Sequence, residues 1–146
     1  MKQTDDWQLS VKRQFTASAE RVFDAFLDPS KAGRFMFATA TGTMVRVEID
    51  ARVGGAYAFV DRRVGEDVEH VGEYLEITRP RRLVFTLRVE KYSKDQSVVS
   101  IEITPRGSGC ELVLTQSVSK QFVEHSQRIA AGWAAILDCA AEIVGP

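Results

Sequence analysis

Few side chains in this sequence are placed to do chemistry, and Glu73 is the most pointed of them. In segment 69–77, EHVGEYLEI, the residues Val71, Glu73, Leu75 and Ile77 alternate with His70, Gly72, Tyr74 and Glu76. Alternation of this kind is the mark of a half-buried strand. If the valine face is the buried one, Glu73 carries a carboxylate into apolar surroundings, which is costly unless the group is paired or protonated. Such a group can orient the polar end of a ligand, pair with an inward arginine, or serve as a general base of raised pKa. A bulge could also turn it out to solvent.

The other reactive types point to little. His70 and His125 are the two histidines, and neither has a second histidine at HxH or HxxxH spacing, so no metal site is expected. His70 reads as an outer-face residue and His125 as the flank of a helix. Cys110 and Cys139 fall on apolar faces and read as small buried hydrophobes, not as a disulfide framework or a zinc site. No GxSxG, GxGxxG or GxxxxGK[ST] occurs, so neither a serine nucleophile elbow nor a nucleotide cofactor is indicated. No catalytic residue and no cofactor is therefore assigned. Gln116 ends an apolar face, and Trp133 sits one turn beyond Ile129, beside Gly132. Trp133 is either core, with Gly132 letting its helix approach, or part of a cavity wall. The run Asp61 to Asp67, DRRVGED, reads as a solvated hairpin tip.

The elements that must position these groups follow from hydrophobic period. Leu9, Val11 and Phe15 mark a strand over residues 8–15, and Ser18 caps a helix carrying Val22, Phe23, Phe26 and Leu27 on one stripe. Asp28-Pro29 stops that helix, and a short helix or turn runs to Phe35-Met36-Phe37. From Thr43 the period becomes two, through Val45, Val47 and Ile49, then Ala56 to Val60, then 69–77. It continues through Leu83, Phe85, Leu87 and Val89, then Val99, Ile101 and Ile103, and last Cys110, Leu112, Leu114 and Gln116. Short turns, with a polar tip at Ser93 to Gln96 and no helices between strands, argue for an antiparallel meander. Segment 120–144 is an amphipathic helix, with Ser119 as cap and Phe122, Ile129, Trp133, Ile136, Leu137, Ala140 and Ile143 on its apolar face. The expected fold is α+β, an antiparallel sheet of about six or seven strands curled around the long C-terminal helix.

Composition bounds the function. The 146 residues are 45% hydrophobic, enough for one domain over 1–146 with a core of its own. Nineteen Lys and Arg against twenty Asp and Glu leave a formal charge of −1, without the basic excess of a nucleic-acid binder. The opening MKQTDDWQLS has no apolar run, so no signal peptide and no membrane association are expected, and the cytoplasm is the expected location.

The order of elements resembles the helix-grip fold of the START-like (SRPBCC) superfamily. A closer resemblance is to proteins similar to the C-terminal domain of the activator of heat shock protein 90 ATPase. It is carried by Phe15–Phe23 (FTASAERVF), Asp50–Gly55 (DARVGG), Gly72–Thr86 (GEYLEITRPRRLVFT), Gly109–Thr115 (GCELVLT) and the pair Gly132-Trp133. Where members often carry a tryptophan after the second short helix this chain has Phe35 and Phe37, and Gln116 stands where the last strand often has histidine. The chain starts at the first strand, without the additional domain by which the eukaryotic co-chaperone grips its chaperone, so a chaperone partner is not expected.

The resemblance implies a cavity between sheet and helix that takes a small apolar molecule, lipid-like or aromatic. Phe35 and Phe37 are expected at its entrance. Tyr57, Phe59, Glu73, Phe85 and Leu87 are expected inside, together with Leu114, Gln116, Ile129 and Trp133. Two other functions are carried as alternatives: an aromatase/cyclase or hydrolase using Glu73 as acid/base, and a chaperone-regulating interaction module. A weak homodimer is the one self-association allowed for.

Overall fold

Seven strands form one antiparallel sheet in the order β1-β7-β6-β5-β4-β3-β2. The structure is a computed structural model that describes residues 7–39, 41–89, 91, 96–118 and 124–146. Its strands are β1 (Trp7–Phe15), β2 (Thr43–Ile49), β3 (Ala56–Arg63), β4 (Glu66–Thr78), β5 (Arg82–Leu87), β6 (Ser97–Arg106) and β7 (Gly109–Val118). Between β1 and β2 lie α1 (Ala19–Leu27) and α2 (Pro29–Ala32), and the chain ends in α3 (Ser126–Val144). The strands β1 and β2 follow each other in sequence yet occupy opposite edges of the sheet, so α1, α2 and the residues after them span its width. The α+β architecture read from the sequence is the one observed.

Local chemistry sets the boundaries. The Ser18 hydroxyl accepts from the Arg21 amide at 3.3 Å and starts α1, while the Asp28 carboxylate accepts from the Ser30 amide at 3.0 Å and starts α2 with Pro29 behind it. At the far end of α3 the Gly145 amide donates to the Ala141 carbonyl, and the Arg21 guanidinium donates to the carbonyls of Val144 and Pro146. The bonds to Ala141 and Val144 satisfy carbonyls that a helix C-terminus leaves without partners, and the two from Arg21 tie the end of the chain to α1. The expected cap Ser119 and the residues Lys120 and Phe122 lie outside the described residues, as do Ser93 to Asp95 of the polar tip.

The core lies between the concave face of the sheet and the helices. Leu9 and Phe15 of β1, Leu83, Phe85 and Leu87 of β5, Val99, Ile101 and Ile103 of β6, and Cys110, Leu112 and Leu114 of β7 all belong to it. Trp133, Leu137, Ala140 and Val144 of α3 close it from the other side, with Val22, Phe23 and Phe26 of α1. Two expectations need correction here. A bulge between Met44 and Arg46 shifts β2, so Val45 is exposed and Met44 packs on the core instead. Gly132 is exposed, and a Cβ there would meet nothing within 4 Å, so it does not bring α3 closer to the sheet. Among the described residues no helix is long and apolar enough to cross a membrane.

Candidate functional site

The strand that carries Glu73 runs in the opposite phase to the expected one. Val68, His70 and Tyr74 of β4 are buried, while Glu73 and Leu75 are exposed. A bulge between Tyr74 and Glu76 then resets the phase, so Ile77 packs on the core again. The apparent alternation from Val71 to Ile77 had joined two registers, and one residue of slip exchanges the faces. Glu73 is thus removed from the sheet–helix space, and with it goes the acid/base reading, which required apolar surroundings. His70, expected on the outer face, is inside.

Gly72 shows why the inward phase is obligatory. A Cβ on Gly72 would lie 2.6 Å from the Tyr57 ring and 1.9 Å from the Thr86 carbonyl oxygen. The Tyr57 ring crosses β4 over this glycine, and its hydroxyl donates to the Thr86 carbonyl at 2.7 Å. Burial pushes the Tyr57 phenol well above its ordinary pKa, so it stays a donor.

From Tyr57 a layer of rings runs through the space between sheet and helices. Tyr57 lies 5.5 Å from Tyr74, 5.5 Å from Phe85 and 5.8 Å from Phe59, measured between ring centroids. Phe59 meets Phe37 at 5.6 Å, and Phe37 meets Trp133 at 5.5 Å with its ring edge-on. Edge-to-face geometry at these distances is favourable for aromatic pairs. Phe35, by contrast, turns toward α1 and packs edge-on against Phe26 at 5.2 Å. The gap left among Phe26, Met36, Tyr57, Phe59, Tyr74, Leu83 and Phe85 has a volume of about 10 Å³, room for about one water. The side chains expected to line a cavity therefore largely fill it.

Polar groups collect at one end of this layer, where β3 and β4 approach their connecting turn. The Trp133 indole donates to Gln116 Oε1 at 2.6 Å, and Gln116 Nε2 donates to the Ser97 hydroxyl at 3.1 Å. An indole N–H can only donate, so it fixes which way the amide points. His70 stacks on Phe37 with centroids 4.3 Å apart and planes 10° from parallel. Burial, and then the nearby Arg63 charge, lower the His70 pKa to about 4, so the imidazole is neutral near pH 7.

Asp61 completes the group. It was expected on a solvated hairpin tip, yet its relative exposure is 0%. Its Oδ2 accepts from the Thr39 hydroxyl at 2.8 Å and from Arg63 Nε at 2.8 Å, whereas its buried Oδ1 has no partner. The strand period carries the signal that was missed, because Tyr57, Phe59 and Asp61 share one face.

Of the eleven residues named from the sequence, Phe37, Phe59, Gln116 and Trp133 meet at this polar end, and Tyr57 and Phe85 continue the ring layer. Leu87 and Leu114 are buried in the adjoining core, and Ile129 packs on it half-buried. Phe35 is core against α1, not entrance, and Glu73 is outside. Asp61, His70, Tyr74, Phe26 and Met36 are the additions.

A sheet curved over one long helix, with two short helices bridging its edges and a layer of rings packed between, defines the helix-grip class of the START-like (SRPBCC) fold. Within that class the chain belongs to the activator of Hsp90 ATPase homolog 1-like family, whose sequence pattern matches residues 16–145. Protein CV1439 from Chromobacterium violaceum is 27% identical, with a TM-score of 0.85 over 95% of this chain and 97% of that one. The AHSA1-like protein from Aeromonas hydrophila, 21% identical, superposes with a TM-score of 0.79 over 94% of this chain and 92% of its own. CalU16 from Micromonospora echinospora, 22% identical, gives 0.73 over 97% of this chain and 78% of its own. No curated protein sequence matches. The fold is compatible with a ligand-binding module.

Proposed function

We propose that this protein binds a small amphipathic molecule in the space between the sheet and α3, without covalent chemistry. The apolar part lies along the ring layer of Tyr57, Phe59, Phe85 and Trp133, beside Leu87, Leu114 and Ile129. Its polar end reaches Asp61. The observation that carries this reading is the buried Asp61 Oδ1 without a protein donor. Buried polar atoms in native proteins are almost always satisfied, and an orphaned carboxylate oxygen costs more than a neutral one. A hydroxyl or amine supplied from outside the chain satisfies it. The rings supply the rest of the affinity, at about 25 cal/mol per Å² of apolar area removed from water.

The test uses the protein's own tryptophans. Trp7 is 58% exposed and Trp133 is buried, so Trp7→Phe leaves Trp133 as the reporter of the site. Titration with medium-chain and aromatic alcohols should change its emission saturably at one-to-one stoichiometry. Native mass spectrometry of freshly purified protein should show a bound mass that the same alcohols displace. Absence of saturable binding by every alcohol, with no bound mass, would sink the reading.

A further inference from the structure

Phe37 has a backbone that its side chain does not favour. Its φ is +61°, in the left-handed region, where a bulky aromatic residue is a genuine outlier. Yet the ring is buried, stacked on His70 and edge-on to Phe59 and Trp133. What holds the residue there is visible. Its carbonyl accepts from Arg63 Nη2 at 3.3 Å, and Arg63 is itself anchored by Nε to Asp61 Oδ2. The chain beyond is half-buried at Ala38 and exposed at Thr39, whose hydroxyl is bonded to Asp61 Oδ2, so this ring can leave without unpacking α1 or α2 once that bond and the Arg63 anchor give way. Phe35 has no such freedom, being interlocked with Phe26.

We propose that Phe37 is a built-in plug whose ring occupies the seat of a planar aromatic ligand and is expelled when that ligand binds. This rests on the reading that a small molecule binds between sheet and α3, and it names the class of that molecule. The seat has one flat wall, the imidazole of His70, and two edge walls, Phe59 and Trp133. A flat wall stacked at 4.3 Å makes fuller contact with a planar ring than with a puckered one, and so favours the planar ring. Because burial keeps His70 uncharged near pH 7, the wall is an aromatic surface and not a cation. A hydroxyl on such a ring is the donor that Asp61 Oδ1 lacks. Release of Phe37 from its left-handed conformation favours the exchange, since backbone strain held at a binding site is relieved when the contacts that hold it are replaced.

The experiment compares 2-naphthol with decahydro-2-naphthol, which has the same carbon skeleton and hydroxyl but is not planar, by calorimetry on wild type, Phe37→Gly, Phe35→Ala and Arg63→Gln. Phe37→Gly empties the seat and suits the positive φ, so 2-naphthol should bind about tenfold or more tightly than to wild type, because the competent state no longer waits on plug release. Decahydro-2-naphthol should gain far less, and Phe35→Ala, a void of similar size elsewhere, should gain for neither. Arg63→Gln keeps the ring but loosens its carbonyl anchor, and should raise 2-naphthol affinity severalfold, so the proposal stays testable if Phe37→Gly does not fold.

Equal gains for both alcohols, or equal gains from Phe35→Ala and Phe37→Gly, would overturn the plug. So would unchanged 2-naphthol affinity in the folded Phe37→Gly or Arg63→Gln variants when wild type binds either alcohol, and in that case the broader binding reading survives. If no alcohol binds wild type or any folded variant, both fail together.

Discussion

The two ends of the sheet–helix space are made of the same fold but not of the same kind of residue. At one end, where Phe15 meets α1 and the last turns of α3, the layer is Phe23, Ile103, Cys110, Leu112 and Leu137, all buried. Its rim is clamped by charge: Arg79 Nε and Nη2 donate to Asp24 at 2.7 and 2.9 Å, and Arg21 holds the carbonyls that end α3. At the other end the layer is Phe37, His70, Gln116, Trp133 and Asp61, with a left-handed phenylalanine and an orphaned carboxylate oxygen. The first end breaks one packing rule, since Arg13 Nε of β1 is buried without a partner, although the same guanidinium donates through Nη1 to Asp138 at 2.6 Å. The second breaks two, with an aromatic residue in the left-handed region and an unpartnered carboxylate oxygen, and local rules fail in native proteins chiefly where function requires it. The contrast separates core that only holds the fold from core that is poised to change.

The sharpest way to break this contrast is to truncate one ring at each end. Phe23→Ala should destabilise by about 3–5 kcal/mol, the range for emptying a well-packed aromatic site. Phe37→Gly should lose distinctly less, because it releases about 1–2 kcal/mol of left-handed strain as it removes the ring. Urea unfolding of both variants measures the difference. Equal losses would mean that Phe37 is ordinary core and that the two ends do not differ.

The sequence made the closed end legible and the polar end only in part. Single-phase alternation in β5, β6 and β7 identified Leu83, Phe85, Ile101, Ile103, Leu112 and Leu114 as inward, because those strands pair without slip. It also brought Gln116 to Trp133. Periodicity fails in β4 and β2, where bulges break the count of two, so an unbroken alternation puts Glu73 inside and His70 outside. Asp61 was hidden by its neighbours, since a charged run resembles a solvated turn. Only its phase with Tyr57 and Phe59 would have marked it as buried. The left-handed Phe37 left no trace in residue type, because glycine or asparagine is the ordinary signal for that conformation.

Acidity separates the ends next. His70 is held near pKa 4 by burial and by Arg63, against the ordinary 6.5 of an unfolded chain, with Asp61 pulling the other way. Between those values the unfolded state binds more protons, so stability rises with pH through this window and is lost as pH falls. From about pH 7.5 to pH 5 the loss attributable to His70 should be about 2 kcal/mol. Denaturant midpoints of wild type and His70→Phe over that range should diverge by this amount, since the variant cannot take up the proton. The closed-end variant Leu112→Val should keep the wild-type slope. Parallel curves for wild type and His70→Phe would show that the histidine is protonated without resistance, and the flat aromatic wall would lose its basis.

A comparable but smaller effect comes from the amide chain that holds Trp133. Trp133→Phe removes the donor to Gln116 Oε1 and leaves that oxygen buried without a partner, a loss of about 1–3 kcal/mol. Adding Gln116→Leu should restore much of it, because removing both partners avoids the unsatisfied group. Additive losses in the double variant would mean that the 2.6 Å bond contributes nothing beyond packing.

The smallest expected change has the opposite sign. Gly132 lies on α3 one residue before Trp133, exposed, and a Cβ there would meet no atom within 4 Å. Glycine inside a helix loses backbone entropy that alanine does not, so Gly132→Ala should stabilise by about 0.5–1 kcal/mol. The gain would appear as a raised urea midpoint with unchanged slope. It also bears on the comparison of the two ends, because α3 spans both. If the polar end is held closed only by Phe37 and its anchor, stiffening α3 leaves 2-naphthol affinity unchanged while stability rises. If α3 must flex at Gly132 for a ligand to enter, the same substitution lowers affinity, and the moving part of the site is the helix instead of the plug.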